Sequence, residues 1–286
     1  MAAALRRERN ERRDEPMSEP MRLKGQDADA ASKKRTEEGG LWETVKVILQ
    51  AVVIAIVIRT LLFQPFNIPS GSLIPTLDIG DYLFVSKYSY GYSHFSLPSF
   101  LDWFPNQMPG RIFASQPKRG DVIVFKLPRD NETDYIKRLI GLPGDKIQVV
   151  HGRLIINGQM AEREALPPYD TGDRLGRQIG VPHYLETLPG GVKHEIIQIE
   201  GDSGFYDNTD VYEVPPGHYF MMGDNRDNST DSRVAADRDG VGYVPFENLI
   251  GKAEIIFFSV GDDAPAWQFW RWPWTVRWKR LFTPVH

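Results

Sequence analysis

The chain contains no cysteine. Disulfide frameworks, Cys-ligated zinc or iron–sulfur sites and thiol nucleophiles are therefore excluded. The compartment is left open, because an exported domain folds without disulfides when its core suffices. Basic charge is scarce where a nucleic-acid surface would need it. Residues 65–265 hold 18 Lys/Arg against 28 Asp/Glu, whereas nucleic-acid phosphates select a basic face; no nucleic-acid partner is expected. The 25 Gly and 21 Pro show no triplet period, which excludes a collagen-like chain. There is no HExxH, no G-x-S-x-G elbow and no Walker loop. None of the six histidines (94, 151, 183, 194, 218 and 286) lies near a serine motif, so a Ser-His-Asp hydrolase lacks its base. With no cluster of ligand residues, neither a metal nor another cofactor is expected. What is present is 286 residues, 41% hydrophobic and 25% charged, ordinary for a folded chain of one or two domains with a sizeable core.

Residues 1–40 are polar and poor in large apolar groups, and are expected to be a disordered cytoplasmic tail. Trp42 to Phe63 differs. Val47–Ile58 has no charge and a single polar residue, Gln50. At ~1.5 Å per residue the segment reaches roughly 33 Å, enough to cross a ~30 Å hydrocarbon core. Residues 41–63 are thus expected to form one transmembrane helix rather than a buried soluble helix, with Lys46 and Arg59 placed to snorkel near its ends. Eleven Lys/Arg lie at or before residue 46 and none between Arg59 and Lys87. The positive-inside rule then puts the N-terminus in the cytoplasm and the rest outside it.

Beyond Phe63 the signals are for β structure. Residues 82–85, 121–125, 146–150, 153–156, 195–199 and 252–258 are short and rich in β-branched or aromatic side chains. Turn pairs such as Pro143-Gly144, Asn157-Gly158 and Pro216-Gly217 bound them. No helical pattern alternates with these runs, so a parallel βαβ sheet is not expected. The expected fold class is mainly β: one transmembrane helix, then an extracytoplasmic all-β unit. Its parts are a core in two pieces (64–145 and 217–262), a β insertion (146–216) and a C-terminal segment (263–286). That last segment holds five of the seven Trp. With Arg271, Arg277, Lys279 and Arg280 it reads as a membrane-interface anchor facing lipid phosphates; the competing reading is a flap packed on the β unit.

Three segments carry candidate chemistry. In residues 66–77, Pro69, Gly71 and Pro75 constrain the backbone around Ser70 and Ser72, as a nucleophilic serine requires; the same run also reads as a linker leaving the membrane. In residues 134–145, Lys137 sits among Tyr135, Ile136, Leu139 and Ile140. Apolar surroundings lower a lysine pKa and make it a general base, although a strand lysine reaching water has the same pattern. Residues 222–233 are dense in Asp and Asn and mix both charge signs. An ion-pair network fits them better than a calcium cage, whose terminal Glu is missing. One S-x-x-K occurs, Ser115 to Lys118, but Pro117 and the Arg119-Gly120 turn disfavour a helix there.

Together the three segments resemble bacterial type I signal peptidase, the leader peptidase family of Ser/Lys serine endopeptidases. The matching stretches are residues 69–77, residues 119–125 with 135–145, and Gly223-Asp-Asn-Arg-Asp-Asn-Ser-Thr-Asp-Ser-Arg233, in family order. The resemblance implies Ser72 as nucleophile and Lys137 as its general base. It implies Ser70 as an oxyanion-hole hydroxyl, Ser229 as the serine that hydrogen-bonds Lys137, and Asp231 with Arg233 as the supporting ion pair. It further implies Phe66, Ile68, Leu77, Leu83, Val124, Tyr135 and Ile136 as the lining of shallow pockets for small P1 and P3 side chains. Leu73 stands where the family usually has Met, and the connection 234–241 is longer than in shorter members.

The expected activity is removal of signal peptides from secretory preproteins, at the bacterial cytoplasmic (inner) membrane, by an enzyme with its catalytic unit on the periplasmic side. One alternative is a specialised relative that processes pilin or conjugation proteins, separable by which preproteins accumulate on depletion. Another is a non-catalytic, membrane-tethered β module that binds exported chains, which would not need both Ser72 and Lys137.

Overall fold

Trp42–Leu61 is long and apolar enough to cross a membrane, and it forms the C-terminal part of a longer helix, α1, Gly25–Leu61. The computed structural model describes residues 25–96, 110–170, 180–261 and 267–286. The expected tail is therefore corrected over 25–40, which is helical; its residues 1–24 lie outside the described residues. Ala, Lys, Arg and Glu in this stretch are strong helix formers, and extending an existing helix avoids the cost of a new nucleus. At its other end α1 stops before Phe63, because Pro65 drives the preceding residue out of the helical region.

The strands follow in chain order: β1 (Phe63–Asn67), β2 (Asp81–Ser86), β3 (Val122–Lys126), β4 (Asp134–Gly141), β5 (Lys146–Val150) and β6 (Arg153–Ile156). Next come β7 (Gln159–Met160), β8 (Glu162–Ala165), β9 (Tyr169–Asp170), β10 (Gly180–Val181), β11 (His183–Thr187) and β12 (Lys193–Ile197). The last are β13 (Tyr212–Glu213), β14 (His218–Met222), β15 (Val244–Pro245), β16 (Leu249–Ser259) and β17 (Thr283–Pro284). The runs expected at 146–150 and 153–156 are strands over the same residues, whereas the one expected at 195–199 lies two residues earlier. Asn157 and Gly158 both take positive φ, 54° and 80°, the pair of left-handed residues that a tight hairpin between β6 and β7 requires.

The main sheet has the order β1-β2-β16-β3-β4-β14-β15, with β17 also on β16. Its pairings are antiparallel. Residues of β3 alternate between two cores, as period two dictates. Val122 and Val124 join Ile68, Leu73, Leu77, Leu83 and Ile256, while Ile123 and Phe125 join Leu139, Tyr219 and Leu249. Bulges interrupt the pairing of the long β16 and bend the sheet.

The insertion folds as three small sheets: β13-β5-β6-β7, β12-β11-β8 and β10-β9. It shares a core with the main sheet, where Ile140 of β4 and Phe220 and Met222 of β14 pack with Ile147, Val149, Leu154 and Ile156.

The C-terminal segment is packed at some residues and exposed at others. Val276 and Val285 are buried, whereas Trp267, Trp270, Trp274 and Trp278 are exposed, Trp274 by 83%. Residues 263–266 lie outside the described residues. The expectation that all four basic residues face lipid is corrected. Arg277 pairs with Asp78 at 3.1 Å, and Arg280 pairs with Asp78 at 3.1 Å and Asp81 at 2.5 Å. Asp78 in the turn before β2 and Asp81 at the start of β2 capture the guanidinium groups; Arg271 and Lys279 stay exposed.

Candidate active site

Three chain segments meet at the site. The first is the turn between β1 and β2, where Gly71–Leu73 makes a single 3₁₀ turn with Ser70 in extended conformation at its N-cap. Ser70 is exposed and its hydroxyl makes no capping bond. Ser72 and Leu73 point inward and are buried. The second segment is β4, which sets Lys137 opposite Ile123 of β3. The third is the loop 223–233 after β14.

Lys137 Nζ lies 2.6 Å from Ser72 Oγ. Only 4% of Lys137 is exposed. Burial lowers its pKa from 10.5 to about 8, against the pull of Asp231 and Asp224 and with help from Arg233. The Tyr135 ring lies beside it, 5.4 Å from Nζ to the ring centre.

The loop is held by charges of both signs. Arg233 grips Asp231 through Nε at 2.9 Å and Nη2 at 2.8 Å, and the same carboxylate accepts the Gly223 N–H at 3.0 Å. Burial would raise the Asp231 carboxyl, but Arg233 and these N–H donors hold it below its ordinary range. Gly223 is required here: a Cβ would strike the Ser229 side chain and lie 2.5 Å from the Ser72 carbonyl oxygen.

The resemblance implies a hydrogen bond between Ser229 and Lys137. In this structure Nζ bonds Ser72 Oγ, and Ser229 Oγ is buried against Gly223 with no hydrogen-bond partner among the described residues.

Of the expected pocket residues, Ile68, Leu77, Leu83 and Val124 are buried in one cluster with Phe66 and Ile136 partly buried against it. Tyr135 packs against the other cluster. The Ser115–Lys118 stretch is exposed apart from Pro117 and is not helical.

Several residues were missed in the sequence. Arg138, the largest fully buried side chain among the described residues, donates to both Asp224 oxygens at 2.8 and 2.7 Å and to Thr76 Oγ1 at 3.1 Å. Thr76 donates to Asp224 at 2.6 Å. Asn225 holds the main chain of the Ser72 turn: its N–H reaches Ser72 O at 3.1 Å and its Nδ2 reaches Gly71 O at 3.2 Å. The adjacency of Arg138 to Lys137 was the one available signal. A charged strand residue beside Lys137, with apolar neighbours, needs a buried partner.

Residues 41–258 match the family model described as signal peptidase, peptidase S26. The chain is 46% identical over 215 residues to signal peptidase I of Rickettsia typhi, covering 73% of this chain and 76% of that protein. To signal peptidase I of Rickettsia prowazekii it is 47% identical over 215 residues with the same coverage. A crystal structure of a signal peptidase I from Enterococcus faecalis V583 aligns with 27% identity, 48% of this chain, 97% of that chain and a TM-score of 0.29.

Proposed function

Because the chain belongs to the signal peptidase family, peptidase S26, we propose that Ser72 and Lys137 are the catalytic dyad of this signal-peptide-cleaving serine peptidase. The observation that carries this is the 2.6 Å approach of a buried lysine with a pKa lowered to about 8 to the Ser72 hydroxyl. Such a pKa leaves roughly a tenth of the lysine neutral at pH 7. Neutral Nζ takes the Ser72 proton as Oγ attacks the scissile carbonyl. The oxyanion is met by the exposed Ser70 hydroxyl and the Ser72 N–H. Lys137 then protonates the leaving amine, and the acyl-enzyme is hydrolysed by water that Lys137 deprotonates. The unpartnered Ser229 hydroxyl is assigned to hold the lysine once Ser72 is acylated. Asp231 and Arg233 keep the loop in register.

Secretory preproteins are the substrates of this family. For this chain, small P1 and P3 side chains are inferred from the family resemblance of Phe66, Ile68, Leu77, Leu83, Val124, Tyr135 and Ile136, of which Phe66 and Ile136 are partly buried against the cluster that holds Ile68, Leu77, Leu83 and Val124. The substrate binds extended along the main-sheet edge at β1. Helix α1 is assigned to the bacterial cytoplasmic membrane, with the N-terminus inside and the β unit on the periplasmic side. The exposed Trp267, Trp270, Trp274 and Trp278 are assigned to the lipid interface. Ser72→Ala and Lys137→Ala test the dyad: each should abolish preprotein cleavage while the melting curve shows a folded protein. Near-wild-type turnover by either variant refutes it.

A further inference from the structure

The main chain of Ser72 is gripped by Asn225, and Asn225 is itself held from the insertion. Ile197 of β12 receives the Arg226 N–H at its carbonyl and donates its own N–H to Asp224 O, each at 3.0 Å. Ile197 and Asn225 thereby form a parallel bridge. On the neighbouring strand β11, Glu186 forms a buried ion pair with Arg226. The Arg226 Nε and Nη1 atoms have no hydrogen-bond partner among the described residues, so Glu186 is the anchor of that guanidinium. Burial would raise the Glu186 carboxyl, but Arg226 holds it below its ordinary range. His194 lies opposite Glu186 in the hairpin, with Nε2 3.5 Å from the Glu186 carboxylate and 3.9 Å from that of Asp224. Burial and Arg138 lower its pKa to about 4, so at neutral pH it adds no charge and the pair is Glu186 with Arg226.

We propose that Glu186, carried by the β11–β12 hairpin of the insertion, is a positioning residue for the Ser72–Lys137 dyad, acting through Arg226 and the 223–233 loop. The inference rests on the dyad reading above. Removing the carboxylate takes away the anchor that holds the Arg226 side chain to β11, and the cation left behind moves toward water. Arg226 then carries Asn225 with it, and the Ser72 turn loses two hydrogen bonds. The three charged groups that act on Lys137, namely Asp231, Asp224 and Arg233, all belong to the same loop. Loosening the loop also admits water to Nζ, so the lysine returns toward its ordinary pKa.

The test uses the full-length protein in detergent micelles, as wild type, Glu186→Gln, Glu186→Asp and Glu186→Gln/Arg226→Met. Active sites are counted by acylation with a penem, and the acylated residue is located by peptide mass spectrometry. Cleavage of a preprotein-derived peptide then gives kcat per active site, KM and the pH–rate profile. Misplacing a reacting group by about 1 Å costs up to ~10²-fold. The expected result for Glu186→Gln is at least a tenfold lower kcat per site, KM within twofold, and an acid limb displaced to higher pH. Glu186→Asp should recover part of the loss. The double variant leaves no stranded cation, yet should keep the lower kcat and displaced limb because the tether is gone. Wild-type kcat per site with an unmoved limb in Glu186→Gln or in the double variant overturns the proposal, even if the melting temperature falls. Should Glu186→Gln not fold, the double variant and Glu186→Asp are scored by the same criteria. The dyad reading fails separately, if wild type is not acylated at Ser72 or Ser72→Ala retains turnover, and the proposal then falls with it.

Discussion

Replacing Lys137 by Met should make the protein more stable at neutral pH while abolishing its activity. The side chain is buried with its pKa lowered from 10.5 to about 8. Between those values the unfolded chain binds more protons than the folded one, so wild-type stability rises with pH across pH 8–10.5. Below pH 8 the folded state carries the full penalty, about 3 kcal/mol at pH 7; it declines to roughly 2 at pH 9 and under ~1 at pH 10. Methionine fills a similar volume and has no charge to desolvate. It forfeits the contact to Ser72 Oγ, which offsets about 1 kcal/mol. The net gain is ~2 kcal/mol at pH 7, or about 4–8 °C in Tm for a unit of this size. Melting curves of both proteins at pH 7, 9 and 10, with peptide cleavage measured alongside, provide the assay. The gain should shrink and change sign toward pH 10. A variant less stable than wild type at pH 7, or a difference unchanged between pH 7 and 10, refutes the argument that burial, rather than a specific partner, depresses this lysine.

The pH dependence of kcat/KM should show an acid limb centred near pH 8, with the rate falling about tenfold per unit below it; a profile flat from pH 6 to 10 contradicts a lysine base. Ser70→Ala should fold normally and lose about 2.7–4 kcal/mol of transition-state stabilisation, read as a 10²–10³-fold drop in kcat; an unchanged kcat places the oxyanion donor elsewhere. Trp270→Ala/Trp274→Ala should reduce co-sedimentation with anionic liposomes at constant Tm, whereas Arg280→Ala should lower Tm and leave sedimentation intact. The opposite pairing of effects would show that the aromatics pack and the arginine faces lipid.

The parts of the fold legible in the sequence were those encoded locally. The 146–150 and 153–156 strands were legible because period-two apolar residues and the Asn157-Gly158 turn lie next to one another. The helix core was legible from its uncharged run, but its N-terminal extension to Gly25 was not, since a polar stretch of good helix formers looks the same attached to a helix or free. At the site, Ser72 and Lys137 stood out by residue type and family resemblance. Their supports did not. Arg138 and Asp224 are 86 positions apart and Glu186 and Arg226 are 40 apart, and nothing in local spacing reports which distant charges meet. The mixed signs of residues 224–233 indicated an internal network. Only Asp231 with Arg233 is internal; Asp224 and Arg226 reach out to other elements. In the C-terminal segment, composition could not separate Arg277 and Arg280, which brace Asp78 and Asp81, from the exposed Lys279.

The strand order of the main sheet bears on when the proposed dyad can be assembled. Ser72 lies on the side of β1 and β2, Lys137 on β4 beside β3, and β16 stands between the two pairs. During synthesis Ser72 is made first and Lys137 65 residues later. Strands β2 and β3 have no edge in common until residues 249–259 arrive to join them. At ~5–20 residues per second that interval lasts on the order of ten to forty seconds. Throughout it the growing chain lacks the strand that joins the Ser72 side of the sheet to the Lys137 side. A late central strand thus makes the proposed dyad a product of the whole sheet rather than of the two segments that supply its side chains.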